Sequence, residues 1–211
     1  MEIILAKSAG FCFGVNRAIE ACYKEIEKGG KIYTYGPLIH NKNVNADLAA
    51  KGVKSVDSLE GCEDGTVIIR SHGVGKAVYD ELEARGIHYV DGTCPFVKKI
   101  HNIVHEKKEA GNDIIIIGIN GWCENSAWIT DNTEDAEKNV IGMDKNKCYV
   151  VVVQTTFRES KYNDILSVIK NSLKNVEAFN TICSATEERQ REAVKISQNV
   201  DKMLVIGDKG S

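Results

Sequence analysis

Short runs of β-branched residues with no polar alternation, separated by stretches of helical periodicity, constrain this chain more than any other feature. Ile114 to Ile117 and Tyr149 to Val153 are the longest of them. Strict apolar–polar alternation marks a strand with one face in water, whereas an unbroken apolar run marks a strand buried on both faces, as in a parallel sheet covered by helices. Such runs predict strands at 2–6, 31–35, 66–70, 88–91, 113–118, 149–153, 176–179 and 202–206. Helical spacing predicts helices at 15–28, 42–51, 76–85, 96–110, 159–174 and 187–199. Gly29-Gly30, Gly52, Gly86 and Gly111 follow four of these helices, as helix stops should. Regular strand–helix alternation is α/β architecture with parallel sheets. Residues 125–147 are polar, with a weak helical stretch at 134–138, and read as a long excursion.

The apolar runs are far shorter than the roughly 20 residues that span a bilayer. The opening Met-Glu-Ile-Ile-Leu-Ala-Lys has no basic n-region and too short an apolar stretch for a signal peptide, so a cytoplasmic protein is expected. A net charge of −3, from 27 basic and 30 acidic residues, gives no electrostatic reason to expect nucleic acid or a membrane as partner. The last predicted strand, 202–206, runs into Gly-Asp-Lys-Gly-Ser with no helix after it, so the chain is expected to lack a C-terminal part that would cover that strand.

Seven cysteines are many for such a chain, and an odd number cannot all pair internally. Three share one kind of setting. Cys12 lies in Gly-Phe-Cys-Phe-Gly-Val, Cys94 in Gly-Thr-Cys-Pro-Phe-Val and Cys183 in Thr-Ile-Cys-Ser-Ala-Thr; each follows a predicted strand and precedes a predicted helix. Their near-even spacing suggests three related α/β domains, 1–93, 94–182 and 183–211, the last only begun. A helix N-terminus offers partial positive charge and free N–H groups, which favour thiolate, the metal-binding form of a thiol. Three thiolates at the C-terminal edges of parallel strands suit zinc or an iron–sulfur cluster, with one metal position left open for a substrate. The remaining cysteines, Cys22, Cys62, Cys123 and Cys148, read as structural or incidental.

His40, after strand 31–35, and His72, after strand 66–70, occupy strand-end loops at the edge expected to carry Cys12. With Asn41, Ser71 and backbone N–H groups they suit an anionic, phosphate-bearing ligand. His88, His101 and His105 lack that setting. Gln154-Thr155-Thr156 follows strand 149–153 and adds hydroxyls at the corresponding edge of the second domain.

Taken in order, Gly-Phe-Cys-Phe-Gly-Val, His-Asn, Ser-His-Gly-Val, Asp-Gly-Thr-Cys-Pro, Gln-Thr-Thr and Cys-Ser-Ala-Thr-Glu-Glu-Arg-Gln resemble the 4-hydroxy-3-methylbut-2-enyl diphosphate reductase family from residue 1 to residue 211. The resemblance implies a trefoil of three pseudo-repeated α/β domains, here with the third mostly missing. It implies that Cys12, Cys94 and Cys183 ligate a [4Fe–4S] cluster with one open iron, which reduces the allylic diphosphate to isopentenyl and dimethylallyl diphosphates. It assigns His40, His72 and Ser211 to the diphosphate, Thr155 to the neighbourhood of the substrate hydroxyl and its proton path, and a ferredoxin or flavodoxin to electron supply. The family also carries a His-Pro-Glu-Val segment after the strand equivalent to 113–118, whose glutamate is the proton donor. Here Gly118 runs into Ile119-Asn120-Gly121-Trp122 and the segment is absent; Glu124 is nearby but matches no motif position. Two other readings stand beside the reductase: a non-catalytic or unstable cluster-binding remnant, and a zinc-binding α/β module using the same thiols.

Overall fold

A computed structural model describes residues 2–119 and 128–207. They fall into two compact units, one made of 10–98 with 202–207, the other of 2–9 with 99–119 and 128–201. The boundary lies within a helix.

The first unit opens with helix α1 (Phe13–Lys28) and strand β1 (Lys31–Tyr35). Helix α2 (Lys42–Ala50), β2 (Lys54–Val56), β3 (Gly65–Ile69), α3 (Lys76–Ala84) and β4 (His88–Asp91) follow. The strands form one parallel sheet in the order β2-β1-β3-β4. Val15, Ala18, Ile19, Cys22 and Ile26 recur at three- and four-residue spacing, which puts them on one stripe of α1. That stripe packs with Leu48 of α2 on Ile32 and Ile68. Tyr33, Val67 and Ile69 face the other way, onto Leu82 of α3. Successive residues of β3 therefore enter different cores, which explains the absence of polar alternation. Helix α1 stops at Gly29-Gly30, both at positive φ, a conformation that costs glycine nothing.

In the second unit, helix α4 (Pro95–Glu109) leads to β5 (Asp113–Ile117), β6 (Trp128–Thr130), α5 (Thr133–Ile141), β7 (Cys148–Val153), α6 (Glu159–Ser172), β8 (Asn175–Phe179) and α7 (Ser184–Ser197). Its sheet is again parallel, in the order β6-β5-β7-β8. One face carries Ile114, Ile116, Val150 and Val152 under α4. The other carries Ile115, Ile117, Val151 and Val153 under α5 and α6.

The two sheets have the same topology and match in detail. The glycine after the first strand of each donates its N–H to the last residue of the edge strand: Gly36 to Val56 at 2.8 Å, Gly118 to Thr130 at 2.9 Å. One connection differs. Eighteen residues including α2 join β1 to β2, whereas only ten join β5 to β6. Ten is at the lower limit for a parallel crossover with its helix.

Two predicted strands are corrected. Residues 2–6 and 202–206 are not strands, and Leu5 and Ile206 are more than four-fifths exposed. An apolar run has the propensity for a strand but becomes one only where a neighbour supplies ladder partners. The segment at 2–9 is held by polar contacts instead. Glu192 on α7 accepts the N–H groups of Lys7 and Ser8 at 2.8 and 2.7 Å and the Ser8 hydroxyl. Arg189 Nε donates to the Ser8 carbonyl at 3.0 Å. These donors, the Ser8 hydroxyl foremost, hold the Glu192 carboxyl below its usual range.

Candidate functional site

The three cysteines singled out in the sequence occupy one structural station. Cys12 is the N-cap of α1 and Cys183 the N-cap of α7, both with extended backbone; Cys94 immediately precedes α4 and its carbonyl accepts the Lys98 N–H at 3.0 Å. All three are free thiols, half-buried. In each unit the cysteine that follows the last strand is tied to the loop after the neighbouring strand. Cys94 N–H donates to the Ser71 carbonyl at 2.9 Å and Cys183 N–H to the Thr155 carbonyl at 3.0 Å. Ser71 and Thr155 both stand two residues past the end of their strands.

The turns that carry these cysteines are rigid for chemical reasons. Gly92 donates to the Ile69 carbonyl at 3.0 Å, and a Cβ at Gly92 would collide with that same oxygen. The Thr93 side, fully buried, is fixed by Asp91 Oδ1, which accepts the Thr93 N–H at 2.8 Å. Burial works against the Asp91 charge, yet Lys98 at 2.5 Å and the Thr93 donors keep its carboxyl below the usual range. In the second unit the Thr181 hydroxyl bonds both the N–H and the carbonyl of Val153. Cys183 Sγ lies 3.0 Å from Thr186 Oγ1, one turn into α7.

Sequence reasoning overlooked Gly14. A Cβ there would overlap Cys94 Sγ and stand 3.0 Å from Cys94 Cβ, so the bare backbone of α1 is what gives the Cys94 sulfur its seat. The second glycine of Gly-Phe-Cys-Phe-Gly-Val was the available signal, because glycine inside a helix costs about 0.5–1 kcal/mol relative to alanine and calls for a reason. Gly14→Ala should therefore leave thermal stability of the metal-free protein within about 1 kcal/mol of wild type, since helix propensity offsets the crowding. It should displace the Cys94 sulfur and lower iron uptake severalfold. Paired melting curves and iron assays check both halves; normal iron uptake would show that the seat is irrelevant.

His40 and His72 meet at the C-terminal edge of the first sheet, in the loops after β1 and β3. The strand order reverses between those two strands, the place where open α/β sheets bind ligands. The rings stand edge to face with centroids 4.3 Å apart. Burial, then the adjacent His40 and Arg70, lower the His72 pKa to about 4, so it is a neutral imidazole at pH 7. Ser71 Oγ lies 3.5 Å from both His72 Nδ1 and the Leu38 carbonyl. Asn41 is not available to a ligand through its oxygen: Oδ1 accepts the Val44 N–H at 3.0 Å and caps α2. Thr155 is buried at the equivalent edge of the second sheet, after β7. Ser211, Cys123 and Glu124 lie outside the described residues.

The other cysteines are elsewhere. Cys22 and Cys62 are core residues, and burial, then Glu25, raises the Cys22 thiol to about 11. Cys148 begins β7, at the sheet edge opposite the site, and is exposed. Among the described residues no three His, Cys, Asp or Glu side chains are grouped tightly enough to hold a single metal ion. An iron–sulfur cluster differs from a single ion in spreading its ligands over several irons bridged by its own sulfides. Three unpaired cysteines at helix N-termini, one seated on a glycine, are a donor set that fits such a group.

The LytB protein family matches residues 3–211. A 4-hydroxy-3-methylbut-2-enyl diphosphate reductase of Thermoanaerobacter sp. (strain X514) is 47% identical over 225 residues, covering all of this chain and 77% of that protein. One of Clostridioides difficile (strain 630) is 43% identical over 222 residues, covering all of this chain and 79% of that protein. Both alignments are longer than the 211 residues of this chain, so each relative has residues with no counterpart here. Among solved structures, the E-1-hydroxy-2-methyl-but-2-enyl-4-diphosphate reductase from Plasmodium falciparum matches with a TM-score of 0.87 at 28% identity. That match covers 96% of this chain and 67% of the other. A (E)-4-hydroxy-3-methyl-but-2-enyl diphosphate reductase, described as the terminal enzyme of the non-mevalonate pathway, matches with a TM-score of 0.77 at 33% identity over 99% of this chain and 78% of the other.

Proposed function

We propose, from the premise that the chain belongs to the LytB family of 4-hydroxy-3-methylbut-2-enyl diphosphate reductases, that its site is built to bind the allylic diphosphate beside an iron–sulfur cluster. The observation that carries the reading is the shared station of Cys12, Cys94 and Cys183, with the His40–His72 pair on the sheet edge that bears Cys94. The three thiolates would hold a [4Fe–4S] cluster, which when bound supplies electrons and a Lewis-acidic open iron for loss of the substrate hydroxyl as water. His40 and His72 receive the diphosphate, and Thr155 serves the hydroxyl end. Ser211 belongs to the diphosphate grip by the family resemblance. We place the site within a three-domain plan of 1–93, 94–182 and 183–211, in the cytoplasm, where a reducing milieu keeps these thiols free. A ferredoxin or flavodoxin would deliver the electrons.

The chemistry left to the chain itself is binding and proton placement. A neutral His72 contributes a hydrogen bond, not a charge, until a polyanion arrives. The diphosphate then favours the imidazolium, so binding should draw a proton onto His72. Affinity for inorganic diphosphate should accordingly rise as pH falls toward about 4, the value His72 has in the unliganded protein. In the unliganded protein the sign is opposite. The unfolded chain takes up that proton first, so stability falls as pH drops from about 6.5 to about 4. Calorimetric titration in buffers of different ionisation enthalpy should show net proton uptake that His72→Ala removes; uptake unchanged in that variant would take His72 out of the grip.

The reading is tested directly by anaerobic reconstitution with ferrous iron and sulfide. A brown protein with broad absorbance near 400 nm, expected of iron–sulfur charge transfer at roughly that wavelength, supports it. A colourless protein that takes up zinc instead would favour the zinc-module reading.

A further inference from the structure

We infer that Arg17 is a positioning residue for Cys94, fixing the peptide that carries this cysteine and setting a positive charge beside it. The inference rests on the cluster reading above. The Thr93–Cys94 peptide unit is held at both polar ends. Its oxygen, the Thr93 carbonyl, accepts from Arg17 Nη1 at 3.0 Å, and its nitrogen, the Cys94 N–H, donates to the Ser71 carbonyl at 2.9 Å. With both ends tied, the plane cannot turn and the Cys94 sulfur keeps little freedom beyond its own rotamer.

Arg17 reaches that carbonyl from α1, three residues after Gly14 and so on the same helix face. One stripe of α1 thus gives Cys94 both its flat seat and its backbone anchor. The same helix starts from Cys12, so the anchor also fixes Cys94 relative to Cys12 within one rigid element. Among the described residues no carboxylate is within ion-pair distance of Arg17. Within those residues its charge is not spent on a protein anion. Three thiolates and bridging sulfides make a cluster anionic, and an uncompensated guanidinium at the neighbouring peptide stabilises it. Arginine suits this because its planar fork can hold a carbonyl with one nitrogen while keeping its charge.

The test uses the whole chain, reconstituted anaerobically with ferrous iron and sulfide, in wild-type, Arg17→Met, Arg17→Gln, Arg17→Lys and Asp91→Ala forms. Three quantities are read: iron per chain, the rate of iron release to a ferrous chelator, and the electron paramagnetic resonance line shape after reduction. Residues that orient metal ligands typically contribute 10–100-fold to metal affinity. Arg17→Met should therefore release iron roughly 10–100-fold faster, with an altered line shape, while the melting of the metal-free protein stays close to wild type. Arg17→Lys should recover part of the loss. Asp91→Ala loosens Thr93 from its N–H side while leaving the Arg17 contact in place, and so serves as the control for general loosening of the turn; Arg17→Gln keeps the test open if Arg17→Met does not fold. Wild-type release and line shape in Arg17→Met, or in Arg17→Gln if only that variant folds, would overturn the inference and leave the cluster reading intact. A wild-type chain that takes up no iron and sulfide would overturn both.

Discussion

Replacing Cys12, Cys94 or Cys183 by serine should each reduce iron and sulfide incorporation to near zero, while Cys22→Ala, Cys62→Ala and Cys148→Ser should load like wild type. The division follows from position, not from chemistry, since all six are free thiols. The first three stand at helix N-termini, half-buried, in the turns that carry the candidate site. Cys22 is wholly buried under the first sheet, and its thiol, raised to about 11 by burial and then by Glu25, is not a thiolate at pH 7. Cys62 is also buried, and burial, then Glu63 and Asp64, pushes its thiol up. Cys148 is exposed but begins its strand, a full strand length from the edge that matters. The magnitude is expected to be all or nothing, because a cluster missing one of three protein ligands leaves two irons open to solvent. Iron and sulfide assays on the six purified variants decide it; equal loss in both groups would sink the assignment.

Turnover should be low even with the cluster in place. The family resemblance puts the proton donor in a His-Pro-Glu-Val segment after the first strand of the second domain. Between β5 and β6 this chain has no histidine and no proline, and ten residues where the first unit has eighteen. A positioned acid typically contributes about 10²–10⁴-fold. Anaerobic turnover of the hydroxylated diphosphate with a chemical reductant should fall roughly that far below the Clostridioides difficile relative assayed beside it. Glu124→Gln should leave the residual rate unchanged. A rate near that of the relative, lost in Glu124→Gln, would show that Glu124 has taken over the role.

What the sequence disclosed of this fold followed burial. Helices α1 and α4 and strands β1, β3, β4, β5 and β7 carry enough apolar residues in a fixed rhythm to be read within a residue or two. The three-residue edge strands Lys54–Val56 and Trp128–Thr130 were not legible. They become strands because a crossover delivers them beside a sheet, and nothing local demands it. The opposite error occurred at residues 2–6 and 202–206, where rhythm was present and no ladder partner was. At the candidate site, residues with chemical side chains could be nominated from the sequence, and those acting through backbone could not. Cys12, Cys94, His40 and His72 announce themselves as candidates, whereas Gly14 meets Cys94 by having no side chain and Arg17 holds the Thr93 carbonyl.

The amide of each strand-following cysteine bonds a carbonyl more than twenty residues away, Cys94 to Ser71 and Cys183 to Thr155. The consequence is one of timing. A short metal-binding loop can gather its ligands while the rest of the chain is still unfolded, and the metal then drives folding. Here the ligand turns acquire their shape only after neighbouring parallel strands have paired, a slow and non-local event. On the cluster reading proposed above, the polypeptide would finish folding empty and receive its inorganic cargo afterwards, so the supply of that cargo would govern how much becomes competent, not how much survives.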